Sequence, residues 1–172
     1  MVHPRKAAFL ATGIVTAMLV VTAPTLAQSS FCASLKAVVA QTGDGFASLR
    51  GAQVSVRQGS NGLTYTDYTY TATSALVGAN PSSCQIVTTI DGGTSNSTYR
   101  CFFDYGNQKR DAELDSLART IVQCIGPVAS ENDIDIDTGN DVGSVSFVHA
   151  NYTVEIIASD TQPLVLTVSK PL

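Results

Sequence analysis

Apolar residues recur at helical spacing in two segments of the chain. Residues 30–41 and residues 111–125 each place apolar side chains at intervals of three and four positions, which is typical of a helix with one buried face. These positions are Phe31, Leu35, Val38 and Val39 in the first segment, and Leu114, Leu117, Ala118, Ile121, Cys124 and Ile125 in the second. Gly43 and Gly126-Pro127 follow the two patterns and end them. The pattern therefore predicts two amphipathic helices.

Between and after these helices, apolar and polar residues alternate with a period of two. In residues 64–73, Tyr68 and Tyr70 fall on one face while Asp67 and Thr69 fall on the other. Such alternation is typical of strands with one face on the core. Further strands are predicted at residues 53–57, 84–90, 97–103, 144–149, 152–159 and 164–169.

The turn of one hairpin predicts which residues of its two strands lie opposite each other. Residues 91–94, Asp-Gly-Gly-Thr, favour a tight turn between two strands. If Ile90 pairs with Ser95, the register places Cys84 opposite Cys101, where cross-strand side chains are close enough to form a disulfide. A longer loop would move the two cysteines out of register, so this pairing is a prediction among three possible connectivities.

The other two cysteines lie on the predicted helices. Cys124 belongs to the apolar stripe of the second helix, and Cys32 lies near the start of the first. If the helices pack together, these two cysteines can reach each other. The expected disulfide residues are therefore Cys84 with Cys101 and Cys32 with Cys124.

The order of the predicted elements indicates the fold class. Helix, several strands, helix and several strands follow one another, and such segregated runs are typical of α+β domains. We expect an antiparallel curved sheet of about five to seven strands, with two main helices packed on one face and disulfides stapling the fold. The repetition is one of element order, not of sequence.

The first residues predict export. Arg5 and Lys6 precede an uncharged apolar run, and Thr25-Leu26-Ala27 offers small residues for cleavage, which together are typical of a secretory signal peptide at residues 1–27. A single membrane anchor is the alternative, since the apolar run approaches spanning length. We expect residues 28–172 to form a single α+β domain that is periplasmic or secreted, without membrane insertion after cleavage. Export and an even cysteine count favour disulfides over metal or redox chemistry.

The charge balance narrows the class of partner. Removing residues 1–27 lowers the number of Lys and Arg from 10 to 8 against 14 Asp and Glu, which leaves a net charge of −6. An acidic balance disfavours nucleic acid and anionic membranes as partners. It is compatible with a basic protein partner, so we expect another protein of the cell envelope.

The acidic segment at residues 131–141 is a possible metal site. Carboxylates at alternate positions resemble the start of a calcium loop, and the candidate ligands are Asp133, Asp135, Asp137 and Asp141. Thr138 stands where the sharp turn needs glycine, and Ser144 stands where a closing glutamate is expected. A solvated acidic loop is therefore the favoured interpretation, with calcium or small-ligand binding as the alternative.

Catalytic residues are not evident in the sequence. His149 is the histidine left after residues 1–27, it falls in a predicted strand, and no G-x-S-x-G elbow singles out a serine nucleophile. We therefore expect no enzyme activity and no cofactor. A small hydrolase with an unrecognised site is the third hypothesis.

Tyrosines offer a candidate recognition surface. Tyr65 and Tyr105 are the possible interface residues, because tyrosine supplies a large contact area at low entropic cost. Tyr68 and Tyr70 are expected to line the sheet face beneath the helices instead.

Four short motifs carry a resemblance to known proteins. They are Phe46-x-x-Leu49-Arg50-Gly51, Leu76-Val77-Gly78-Ala79 followed by Cys84-x-Ile86, Tyr99-x-Cys101, and a helix ending in Val122-x-Cys124-Ile125. This pattern resembles uncharacterised small exported bacterial proteins. The element order also resembles the secretion-chaperone-like α/β fold and the tandem helix-plus-sheet arrangement of β-lactamase-inhibitor-like proteins. The resemblance implies a scaffold and not an activity, so no functional residue is carried over.

The sequence thus predicts a non-enzymatic, periplasmic or secreted protein-binding module that acts as an inhibitor, immunity protein or chaperone. The outer sheet face and its loops would carry the binding.

Overall fold

In the computed structural model, the structure describes residues 26–60, 63–104, 110–126, 130–132, 142–159 and 162–171. Two α-helices lie within these ranges, α1 (Leu26–Val39) and α2 (Arg110–Ile125). The described strands are β1 (Arg50–Gln58), β2 (Thr66–Ala72), β3 (Ser83–Asp91), β4 (Thr94–Phe103), β5 (Ser130–Asn132), β6 (Val142–Val148), β7 (Thr153–Ser159) and β8 (Gln162–Ser169).

All the strands belong to one antiparallel sheet. Its order is β1-β2-β3-β4-β8-β7-β6-β5, so each half of the sheet is a meander of four strands that follows one helix. The halves meet where β4 pairs with β8, with Cys101 opposite Leu166. The α+β class is confirmed. The described sheet has seven strands of seven residues or more, together with the three-residue β5.

The strand β5 lies where the sequence predicted a loop. Glu131 and Asn132 were expected in a loop, but they pair with Phe147 and Ser146 of β6. Backbone hydrogen bonding to a neighbouring strand does not require apolar side chains, and that is why the acidic composition concealed the strand.

The core lies between the two helices and one face of the sheet. The predicted helix stripes are confirmed, since Phe31, Leu35 and Val38 of α1 are buried together with the second stripe. The buried residues of α2 are Leu114, Leu117, Ile121 and Cys124, and those of the sheet include Ile86, Tyr99, Phe103, Val145, Phe147, Val154, Ile156, Leu164, Leu166 and Val168. None of the described helices is long and apolar enough to cross a membrane.

Both predicted disulfides are confirmed. Cys84 lies directly opposite Cys101 in the β3–β4 hairpin, with their Cα atoms 4.1 Å apart. The predicted pairing of Ile90 with Ser95 is present in the same register. The second disulfide joins Cys32 of α1 to Cys124 of α2. One bridge therefore closes a hairpin, and the other ties the helix of one half to the helix of the other.

The helix α1 begins earlier than the sequence pattern indicated. Its first residue is Leu26, two residues before Gln28, the predicted start of the mature chain. Gly78 packs against this first turn with a positive φ of 92°, and a Cβ at that position would lie 2.3 Å from the carbonyl oxygen of Ala27. Glycine is therefore required for the connection from β2 to approach α1 so closely.

Candidate protein-binding surface

The sheet has one face covered by the helices and one face that the described helices leave uncovered. Successive side chains of a strand point to opposite faces, so the residues between the buried positions define the second face. We call this surface the outer face. The sequence predicts binding on this face and its loops, so its composition bears directly on the function.

An apolar row crosses the middle of the outer face. Phe102 of β4 lies opposite Val165 of β8, and Val165 lies opposite Ile157 of β7. All three side chains are half-buried. Ser83 and Ser144 end the row on the flanking strands. Three strands thus align three apolar side chains, of which Phe102 is far in the sequence from Ile157 and Val165.

A charged row borders the apolar row on one side. Arg100, Thr167 and Glu155 lie opposite one another on the same three strands, two residues along from the apolar positions. Arg100 is exposed and Glu155 is half-buried. Because one strand separates them, their Cα atoms are about 10 Å apart. We call the surface of Arg100, Phe102, Glu155, Ile157, Val165 and Thr167 the outer patch.

The remainder of the outer face is dominated by hydroxyl side chains. The next row across the sheet consists of Ser55, Thr69, Val87, Thr98, Ser169, Thr153 and Val148. Beyond it, the Thr89 hydroxyl donates a hydrogen bond of 2.6 Å to Asp67. The apolar row of the outer patch is therefore flanked mainly by polar residues, with Val87 and Val148 as apolar exceptions on the same face.

Of the two tyrosines that were predicted to form an interface, the structure describes Tyr65. Tyr65 is half-buried, and its hydroxyl accepts a hydrogen bond of 3.2 Å from Arg57. Tyr105 lies outside the described residues. Tyr68 and Tyr70 lie on the helix-covered side of β2, opposite Thr88 and Ile86 of β3. This is the face beneath the helices that was predicted for both tyrosines from the sequence.

His149 stacks on Tyr152 at the turn between β6 and β7. Their ring centroids are 4.4 Å apart with an interplanar angle of 19°, and the His149 backbone N–H donates to the Tyr152 carbonyl. The Nε2 atom of His149 is buried, and within the described chain it has no hydrogen-bond partner. General-base catalysis needs a nucleophile or water within hydrogen-bond reach of this atom, and the described residues place none there.

The predicted calcium ligands cannot be placed. Asp133, Asp135, Asp137 and Asp141 all lie outside the described residues. Within the part of the chain that the structure describes, no group of three or more His, Cys, Asp or Glu side chains could hold a metal ion. The metal hypothesis therefore stays a prediction.

A small cleft lies away from the outer face. It encloses about 290 Å³ between the start of α1, the first half of α2 and residues 78–79. Apolar Phe31 and Leu117 and polar Glu113 and Thr120 are among its lining residues. Its volume falls at the small end of the range for small-molecule sites, roughly 300–1,000 Å³, so it is a weaker candidate than the sheet face.

The comparisons with known proteins give no match: no family model, no curated protein and no solved structure is similar to the chain. The chemistry of the surface is therefore the basis for any functional proposal.

The outer patch was missed by sequence reasoning, although a signal for it exists. Strands with one solvated face alternate, but the three strands of the patch contain adjacent apolar residues, namely Phe102-Phe103, Ile156-Ile157 and Leu164-Val165-Leu166, as do β3 with Ile86-Val87 and β6 with Phe147-Val148. Unbroken apolar runs are typical of strands that are covered on both faces. What the sequence cannot show is that the three interruptions line up in one row.

Proposed function

We propose that this protein is a non-enzymatic binding module of the periplasm or the cell exterior, and that it binds another envelope protein through the outer patch. One observation carries the proposal: the apolar row Phe102, Val165 and Ile157 is in register across three central strands, on the face opposite the helices. An inhibitor, immunity or chaperone-like role uses such a surface to recognise one partner.

The chemistry of the patch suits a protein ligand. Covering apolar side chains gains about 25 cal/mol per Å² of apolar surface removed from water, and adjacent side chains form one continuous contact. Apolar regions rimmed by polar groups are characteristic of interaction sites. Arg100 and Glu155 would orient the partner, because charges of opposite sign at the two ends of the patch allow only one complementary arrangement.

The scaffold supports such a surface because it is rigid. Each of the three strands is hydrogen-bonded on both sides, and their other face forms the buried core. The Cys84–Cys101 bridge joins β3 to β4 beside the patch. A preordered surface loses little conformational entropy on binding, which favours affinity.

Affinity capture from envelope extract tests this proposal. The wild-type protein should retain a specific protein, and the triple variant Phe102→Thr, Val165→Thr, Ile157→Thr should lose it. Threonine keeps the strand preference of these positions while it removes the apolar row.

Val87→Thr is the matched control, because Val87 lies on the same face but outside the patch. It should retain the captured protein as the wild type does. Equal capture by the triple variant, with both disulfides and the thermal unfolding of all variants intact, would refute a role for the patch. Failure of the wild type to retain any specific protein would refute the proposed function.

A further inference from the structure

The strand β1 is a long free edge of the sheet. It is nine residues long and terminates the strand order, whereas β5 at the opposite end has three residues. Residues 52–58 are all exposed, and Val54 and Val56 are 58% and 50% exposed. Two large apolar side chains on a terminal strand are unusual for a surface that meets only water.

The backbone of β1 is satisfied on one side only. Its described partner is β2, where Val56 lies opposite Tyr68 and Arg57 opposite Asp67. In the regular part of β1, from Ser55 to Gln58, alternate N–H and C=O groups point away from β2 and have no strand beside them in the described sheet. Such a row is a template for an added strand, in which backbone hydrogen bonds give affinity and alternate side chains give specificity.

The side chains of β1 differ between the two faces. Val56 lies on the helix side of the sheet beside Tyr68, and Ile90 on the same side of β3 is 40% exposed. Arg57 lies on the outer face. The guanidinium of Arg57 donates a hydrogen bond of 3.2 Å to the Tyr65 hydroxyl, and Asp67 lies opposite it on β2, but no described carboxylate is within ion-pair distance of it. The exposed edge therefore presents the apolar side chain of Val56, followed by the positively charged side chain of Arg57.

Charge decides which kind of strand fits this edge. β1 carries Arg50 and Arg57 but no acidic residue. A second copy of β1 would therefore bring no carboxylate opposite Arg57. A strand with a carboxylate there gains an attraction between opposite charges across the two strands.

We infer that the free edge of β1 binds an extended segment of the protein partner, in which an acidic residue faces Arg57 and an aromatic or aliphatic residue faces Val56. This rests on the proposed function, because it assumes that the ligand is a protein. The internal strand β2 already shows the pattern, with Asp67 opposite Arg57 and Tyr68 opposite Val56. The partner's strand would extend the described sheet beyond β1.

A capped synthetic peptide with the sequence of residues 64–72, TYTDYTYTA, is the probe. It is added to the protein beginning at Gln28, and hydrogen exchange of residues 52–58 is followed by mass spectrometry. The peptide should slow exchange in these residues. Arg57→Glu should weaken binding about tenfold, because it replaces an attraction with a repulsion. The Arg57→Glu protein should instead prefer a peptide whose Asp is replaced by Lys.

Arg119→Glu is the control, since this exposed arginine lies on α2 and outside the outer patch, and it should bind the probe as the wild type does. Absence of protection, or protection that Arg57→Glu does not change, would overturn the inference. Protection that grows with protein concentration in the absence of peptide, together with a dimer in light scattering, would show a second copy at the edge and would also overturn it. If the captured envelope protein is lost by the triple threonine variant but kept by Arg57→Glu, the edge fails while the proposed function stands.

Discussion

The hydroxyl of Tyr99 donates a hydrogen bond of 2.6 Å to the carbonyl oxygen of Ser74. Tyr99 is a fully buried residue of β4, and Ser74 lies in the connection after β2. The Sγ atom of Cys101 is 3.3 Å from the same hydroxyl. The hydrogen bond thus ties the connection between β2 and β3 to the core, beside the disulfide of the β3–β4 hairpin.

Tyr99→Phe should destabilise the protein by about 1 to 2 kcal/mol, because it leaves the Ser74 carbonyl without its partner. Denaturant unfolding at neutral pH measures the loss. Tyr65→Phe is the control, since the Tyr65 hydroxyl is half-exposed and accepts from the exposed Arg57. Its effect should stay within about 0.5 kcal/mol. Equal effects of the two variants would contradict a structural role for the Tyr99 hydrogen bond.

Stability should fall at alkaline pH. Burial raises the pKa of Tyr99 well above its ordinary value, and burial also raises the pKa of Tyr152. Below about pH 10 both the folded and the unfolded chain keep these protons, so the two tyrosines contribute fully to the free energy of unfolding. Above that pH the unfolded chain loses them first, so the free energy of unfolding decreases as pH rises. Unfolding between pH 8 and pH 11 in the wild type and in Tyr99→Phe checks this, and an unchanged slope in the variant would contradict it.

The two disulfides should contribute different amounts to the free energy of unfolding. The Cys32–Cys124 bridge spans 92 residues and the Cys84–Cys101 bridge spans 17. A longer loop removes more entropy from the unfolded chain, so Cys32→Ala with Cys124→Ala should cost about 4 to 5 kcal/mol and Cys84→Ala with Cys101→Ala about 3 kcal/mol. Denaturant unfolding compares the two, with mass spectrometry to show that the remaining bridge is intact. A larger loss from removing the hairpin bridge would contradict this order.

Arg50 should be less replaceable than Arg57. Its Nη2 atom donates to the Gly45 carbonyl at 3.1 Å and to the Ser97 hydroxyl at 3.2 Å, and its guanidinium carbon lies 5.2 Å from the centroid of the Tyr70 ring. Lysine cannot reproduce these planar contacts, so Arg50→Lys should destabilise the protein by about 1 to 2 kcal/mol. Arg57→Lys should leave the unfolding midpoint unchanged. Equal midpoints for the two variants would show that the contacts of Arg50 do not stabilise the fold.

The sequence predicted best where the structure is local. The register of the β3–β4 hairpin follows from a two-residue turn, because such a turn sets which residues oppose each other on both arms. The pairing of Cys84 with Cys101 follows from that register alone. The helix stripes were equally clear, since the core covers one face of each helix.

The sequence predicted less well at the edges of the sheet. The strand β1 was expected over residues 53–57 but spans Arg50–Gln58, and it carries little alternation because residues 52–58 are exposed on both faces. The strand β5 was missed because its pairing with β6 is made by the backbone. In a strand with one buried face, apolar and polar residues alternate because every second side chain is buried. Edge strands that are exposed on both faces lack this alternation.

By itself, the sequence determined the α+β class and the two helices, and it favoured the β3–β4 register and the disulfide pairing among the alternatives that it left open. Each of these depends on turns and periodicities within a short segment, or on helices that must share one core. Only the tertiary structure decided that β4 pairs with β8, which aligns Phe102, Val165 and Ile157, and that β1 is left as the free edge. Pairing between distant strands is made by backbone groups that every residue carries, so the side chains alone did not reveal it.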